Sequence, residues 1–273
     1  MSTRKARLID LEKREENSEP IQVLCLGMCR TGTSSLLAAL KMLGYTPLHM
    51  SHIVEDTHLK RLWVEAIEST FIDKSSQKPY GRPEFDILLR GFDATLDIPC
   101  AIFADQLINA YPEAKVILTT RPVESWIKSM QGTIWQLMRW PSYRILRYVE
   151  PELVGSFLKL LEAIFHVHNG NKYGGAEAEE AFLAHNQRIR ELVPAKNLLE
   201  LSPPFDLTTL CDFLGKPTPS CGYPHVNSTD EYISRISERR NKSIIMAMMR
   251  LLKFLLQLLP VLIVSGGFWM MFK

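Results

Sequence analysis

Arg30 lies three residues past Gly27 and opens the run Arg30-Thr31-Gly32-Thr33-Ser34-Ser35. Ahead of it, residues 21–27 are apolar over the length of a strand. Behind it, Leu36, Leu37, Leu40 and Leu43 fall at the spacing of one helix face. At such a junction backbone N–H groups and the positive end of a helix dipole converge on one point, which suits an anion, above all a phosphate. Gly27 and Gly32 allow the tight path, Thr31, Thr33, Ser34 and Ser35 add hydroxyl donors, and Arg30 adds a cation from inside the loop. Set against the nucleotide-hydrolase pattern GxxxxGK[ST], the lysine position is Thr33. A triphosphatase so altered lacks its contact to the β- and γ-phosphates. The chemistry expected here is phosphate binding by another route.

A second cluster follows "KVILTT" at 115–120, the second clear buried strand. Arg121 stands at its end, and Ser129 lies eight residues on, two turns along a helix that Pro122 opens at its first position. Both can reach one phosphate at the carboxyl edge of a sheet, where α/β proteins bind ligands. A planar guanidinium suits a phosphate dianion. The histidines point elsewhere. His52 and His58 have no third ligand at metal spacing, and His166 and His168 fall on different helix faces, so no metal site is expected.

The elements that must position these residues alternate. Strands are predicted at 21–27, 45–50, 95–99, 115–120 and 197–201. Helices are predicted at 34–43, 58–69, 102–110, 122–130, 176–192 and 207–214, with a helical insertion at 135–165 broken near Pro141 and Pro151. Gly44 and Gly215 stop helices. This alternation predicts an α/β fold, a P-loop-type parallel sheet flanked by helices. A chain of 273 residues holds one such domain with appendages.

Together these stretches resemble the sulfotransferases that use 3′-phosphoadenosine-5′-phosphosulfate. The [KR]-[ST]-G-[ST]-[ST] loop of that superfamily is matched by Arg30, Thr31, Gly32, Thr33 and Ser34, and its later Arg and Ser, eight residues apart, by Arg121 and Ser129. More narrowly, the chain is similar to the fungal-type family that carries "RTGT-S", "HM", "YP-AK-ILT-R", a tryptophan and a late "P-FPH-N". Here these are residues 30–35, His49-Met50, residues 111–121, Trp126 and "PSCGYPHVN" at 219–227; His185-Asn186 and Val193-Pro194 also fit. The resemblance covers roughly residues 21–230. Three segments depart from it: Pro122 follows Arg121 where Asp is usual, Ser202-Pro203-Pro204-Phe205 replaces an EGW segment, and no RKG clamp is visible.

What the resemblance implies is specific. Arg30, Thr31, Gly32, Thr33, Ser34 and Ser35 grip the 5′-phosphosulfate, Arg121 and Ser129 hold the 3′-phosphate, and no metal is needed. Arg30 also stabilises charge leaving on the bridging oxygen. Two residues stay open as the base. Asp97, in "LDIP", sits 24 residues before Arg121, near where cytosolic sulfotransferases place a catalytic His. His49 titrates nearer neutrality. Asp97 is favoured, although an unperturbed carboxyl near ~3.9 needs burial to raise it. The expected reaction moves a sulfuryl group from that co-substrate to a hydroxyl or amine of a small acceptor, which can itself be lipophilic. The alternatives are a P-loop kinase or triphosphatase, for which the lysine is absent, and an inactive membrane-bound adaptor.

Composition narrows the partners. The formal charge is +2, but residues 238–273 hold six Lys/Arg against Glu238 alone, leaving residues 1–237 with 26 basic and 29 acidic side chains, a net of −3. A body of that charge is not built to neutralise nucleic acid. Five scattered cysteines suit a reducing compartment, and the charged arm at 1–20 has no apolar core of a secretory signal. Residues 254–272 run for 19 residues without a charge, close to the ~20 that cross a bilayer. Arg239, Arg240, Lys242, Arg250 and Lys253 lie on their N-terminal flank. The expectation is a sulfotransferase-like domain at 21–232, a basic juxtamembrane linker at 233–253, and a C-terminal transmembrane helix at 254–272 that leaves the domain in the cytosol. A packed C-terminal helix is the alternative.

Overall fold

The computed structural model describes residues 6–13, 20–73, 78–220, 222–224, 226 and 229–271, without the side chains of 229, 254, 255 and 258–271. Apolar runs become strands β1 (Val23–Cys25), β2 (Pro47–Leu48), β3 (Ala94–Leu96), β4 (Lys115–Thr119) and β5 (Leu198–Leu201). They form one five-stranded sheet in the order β2-β3-β1-β4-β5, parallel at each pairing. A parallel sheet is covered by helices on both faces, so its strands are largely apolar. Successive side chains of β1 accordingly serve two cores. Leu24 belongs to the larger one and Val23 and Cys25 to the other.

Twelve helices connect or cover the strands among the described residues: α1 (Thr33–Met42), α2 (Met50–Glu55), α3 (Thr57–Ile67), α4 (Arg82–Leu88), α5 (Ala104–Ala110), α6 (Val123–Gln131), α7 (Ile134–Arg139), α8 (Pro141–Val149), α9 (Ser156–Asn169), α10 (Ala176–Leu192), α11 (Leu207–Leu214) and α12 (Thr229–Met271). The bounds of α10 and α11 are those expected. The expected insertion is α7, α8 and α9, with a turn of π-helix from Pro151 to Gly155. Helices α2 and α4 are not among the expected elements, being short and weakly periodic. Pro122 is not the first helical residue; it is extended (φ −53°, ψ 134°) and precedes α6. The strands are shorter than the apolar runs because each run continues into the loop beyond the ladder.

The C-terminal part departs from expectation. Residues 233–253, expected as a linker, are helical and packed against the body as part of α12, which runs unbroken from Thr229. Ile236 and Ser243 are buried, and Ile244 and Ala247 pack on the larger core. Arg239 pairs with Glu55, Arg250 with Glu150 at 2.8 Å, and Lys242 with Glu238 at 2.8 Å, while Arg240 lies 4.6 Å over the Trp140 ring. Much of the basic flank therefore fastens a helix. Among the described residues no helix is long and apolar enough to cross a membrane, so the expected transmembrane helix has no support there. Apart from Leu256 and Gln257, the side chains of 254–272 lie outside the described residues.

One buried side chain ties the helical layer to the loop after β1. The Trp126 indole N–H donates to the Cys29 carbonyl at 2.9 Å, and its ring stacks on Phe182 of α10 at 4.3 Å. Trp126→Ala should lower stability by about 3–5 kcal/mol in urea unfolding, from the lost contacts and the cavity left behind. Trp126→Phe keeps the stack but leaves the buried carbonyl without its donor, and should cost only about 1–3 kcal/mol.

Candidate active site

The sheet order sets the site. Each of four adjacent strands ends in a residue singled out by the sequence: β2 runs into His49, β3 into Asp97, β1 into the Arg30 loop and β4, one residue further on, into Arg121. Cys25 is level with Leu96 on one side and Ile117 on the other. The four strand ends therefore open on one edge, the carboxyl edge where α/β ligands bind.

Glycine is required in the loop for space. A Cβ on Gly27 would lie 2.1 Å from Thr119 Oγ1 and 2.5 Å from the Thr119 carbonyl oxygen. One on Gly32, at φ +102°, would lie 2.4 Å from the Phe205 ring. Arg30 itself holds φ 66°, a left-handed conformation that non-glycine residues rarely adopt. What holds the loop is the capture of its carbonyls. Leu26 O accepts from His185 Nε2 at 2.8 Å, Met28 O from the Thr31 hydroxyl at 2.6 Å, Cys29 O from Trp126, and Arg30 O from Arg121 at 2.9 Å. With these acceptors drawn away, the loop has donors to offer an anion.

The hydroxyls divide between roles. Thr31 is buried and bonded to Met28 and, at 2.6 Å, to the Thr119 hydroxyl, so it braces the loop. The Ser35 hydroxyl accepts from the Val226 N–H at 3.1 Å and faces the late segment. Thr33 and Ser34, behind the Gly32 cap of α1, line the cavity. The Ser129 hydroxyl is 3.2 Å from Arg30 Nε and bonds to that residue, whereas Arg121 bonds to Ser125, one turn earlier on the same face of α6. The sequence reading missed Ser125, although its i+4 spacing to both Arg121 and Ser129 is a legible signal. Arg121 Nε is buried without a partner among the described residues. Burial, and then the neighbouring Arg30 charge, lowers the Arg121 pKa from its usual range. Two cations held this close favour an anion between them.

The two base candidates are neighbours. His49 Nε2 and Asp97 Oδ2 lie 3.0 Å apart, both residues buried, though the contact lacks the alignment of a hydrogen bond. The Ser51 N–H donates to His49 Nδ1 at 3.1 Å, which places the proton of a neutral ring on Nε2, toward Asp97. Asp97 Oδ1 accepts from the Ile98 N–H at 2.8 Å, and Asp97 holds φ 71°. His49, Asp97, Arg30 and Arg121, with Thr33 and Ser34, open on a cavity of about 480 Å³, whose lining does not include Ser35, Ser125 or Ser129. Among the described residues its lining carries five cations, Arg30, Lys41, Arg121, Arg235 and Arg239, against the single carboxylate of Asp97. Its remaining walls are largely apolar. Among the described residues no cluster of three His, Cys, Asp or Glu is placed to hold a metal. Cys25, Cys29, Cys100 and Cys211 are free and buried.

Fold and site define a P-loop-type α/β protein whose loop cation is an arginine. Comparison with known proteins gives the family. Residues 22–232 match the family model for the sulfotransferase domain. Over 215 residues, 77% of this chain and 82% of the relative, the sequence is 38% identical to "Ava biosynthesis cluster protein M" of Aspergillus versicolor. The chain belongs to the sulfotransferase family.

Two histidines behind the loop give the fold a pH dependence. His168 and His185 meet edge to face at 5.7 Å. Burial lowers both, His168 to about 3, with the His185 charge adding to the shift. Native pKa values below the unfolded ~6.5 mean that the unfolded chain binds protons the native state refuses. Stability is then full above pH ~6.5 and lost as pH falls from there toward the native value of His168, on the order of 1 kcal/mol per pH unit from that residue, with His185 adding in the same direction. Thermal unfolding between pH 7.5 and 5 should show this fall, and His168→Phe should flatten it.

Proposed function

We propose that this protein transfers a sulfuryl group from 3′-phosphoadenosine-5′-phosphosulfate to a hydroxyl of a small, lipophilic acceptor. The observation that carries the reading is the cavity: cations in excess at the strand ends, an arginine loop without the nucleotide-hydrolase lysine, and apolar walls beyond. The loop N–H groups with Arg30, Thr33 and Ser34 suit the 5′-phosphosulfate, and Arg121 and Ser129 suit the 3′-phosphate. For that, Ser129 exchanges its bond with Arg30 for one with the ligand. The relative's name places it in a biosynthesis cluster, a setting that agrees with a small-molecule acceptor.

In this mechanism the acceptor oxygen attacks sulfur in line with the bridging oxygen. The new S–O bond forms as the bridging S–O bond breaks, and its electron pair leaves on the 5′-phosphate. Arg30 stabilises that charge, an effect largest in the transition state. The acceptor proton passes to Asp97. The proton on His49 Nε2 keeps that ring from accepting, and its N–H beside the carboxylate orients the pair.

Binding of 3′,5′-bisphosphoadenosine should raise the thermal midpoint by mass action on the native state, and Arg121→Ala should remove most of the rise. Asp97→Asn should keep the shift and lose transfer by about 10²-fold or more. Stronger stabilisation by magnesium ATP, or an active Asp97→Asn beside a dead His49→Gln, would overturn the donor and the base assignment respectively.

For localisation the support is the sequence. We propose that the charge-free run 254–272 attaches the protein to a membrane with the folded body in the cytosol. Full-length protein should then resist carbonate extraction; release at high pH would identify the run as a packed helix instead.

A further inference from the structure

Helix α12 lies almost wholly beyond the sulfotransferase match, which ends at residue 232. It nevertheless walls the cavity. Tyr232, Ile236 and Arg239 recur at the spacing of one helix face, and all three line the space together with Arg235. Met50 and Val54 of α2 and Phe157 and Leu161 of α9 line the same space. The Arg239–Glu55 ion pair joins α12 to α2 at this cavity.

Tyr232 also touches the loop cation. The Arg30 guanidinium carbon lies 5.0 Å from the Tyr232 ring centroid, and Arg30 Nε is held by Ser129. A cation–π contact fixes a guanidinium without cancelling its charge. A carboxylate in the same place would fix it too, but would neutralise the charge a phosphosulfate needs. Burial raises the Tyr232 hydroxyl above its usual range, so the ring stays neutral beside Arg30.

We propose that α12 is part of the catalytic apparatus: Tyr232 is a positioning residue that aims Arg30, and Tyr232 with Ile236 forms the wall on which the acceptor lies. This rests on the sulfuryl-transfer reading. It makes acceptor choice depend on a helix most of which lies beyond the family match, with Tyr232 at the last matched residue, while donor binding depends on the strand ends.

The test uses the full chain in detergent, with 3′,5′-bisphosphoadenosine as donor-site probe and 1-naphthol as acceptor-site probe. Ile236→Trp should weaken 1-naphthol by about tenfold or more by overfilling the wall, with bisphosphate affinity unchanged. Tyr232→Leu should lower kcat for 1-naphthol by about 10–100-fold as Arg30 loses its aim, with bisphosphate affinity falling much less, because the Arg30 charge is needed most in the transition state. Tyr232→Phe, which keeps the ring face, should restore kcat. The proposal is overturned if Tyr232→Leu turns over like wild type, if Tyr232→Phe fails as badly as Leu, if Ile236→Trp binds 1-naphthol normally, or if wild type does not bind it. Failure of wild type to bind the bisphosphate is a separate result, and sinks the sulfuryl-transfer reading instead.

Discussion

The parallel pairing of β1 between β3 and β4 is the constraint on which the rest of the structure depends. Strands in a parallel sheet stand ~4.8 Å apart and point the same way. Their ends therefore present loops side by side at one edge. Because the register sets Cys25 level with Leu96 and Ile117, Asp97 with its neighbour His49, the Arg30 loop and Arg121 arrive side by side. A shift in any one strand would separate them.

Building an anion site at that edge costs the fold something local. Arg30 and Asp97 are both left-handed, and Arg30 and Arg121 are close enough for their charges to oppose each other. The compensation is a layer of donors behind the loop. Trp126, His185, Thr31 and Arg121 each take up a loop carbonyl, and the first two are packed among rings: Trp126 on Phe182, His185 on His168. Such a layer fixes the donors before any ligand is present, which is what electrostatic stabilisation of a developing charge requires. It also makes the loop depend on helices α6 and α10, far from it in sequence.

Helix α12 shows how one segment can carry two patterns. Its inward stripe, Tyr232, Ile236, Ser243 and Ala247, meets the body. Its outward side carries Ile245, Met248, Met249 and Leu252, all exposed. Basic residues near both stripes read in one dimension as a flank, yet Arg239 and Arg250 make ion pairs with α2 and with the residue after α8. Periodicity describes a face; only the packed partner says what the face is for.

The glycine-bounded loop between β1 and α1 and the bounds of α10 and α11 were legible because each is a short-range pattern: a glycine spacing, an apolar period closed by a cap. The expected pairing of Arg121 with Ser129 was not, since Ser129 bonds to Arg30 and Arg121 to Ser125. The parallel α/β class followed from the alternation of such patterns. Tertiary structure decided everything that depends on a remote partner. It joined His49 to Asp97, two candidates weighed separately, across the β2–β3 pairing. It turned Thr31 toward Thr119 and Ser35 toward Val226, so that hydroxyls equivalent in sequence became braces, and left Thr33 and Ser34 facing the cavity. It placed Tyr232 over Arg30 from 202 residues away. A hydrogen bond or a ring contact has a range of a few ångströms, and sequence spacing records that range only within an element; between elements, only the packed sheet and its helices can.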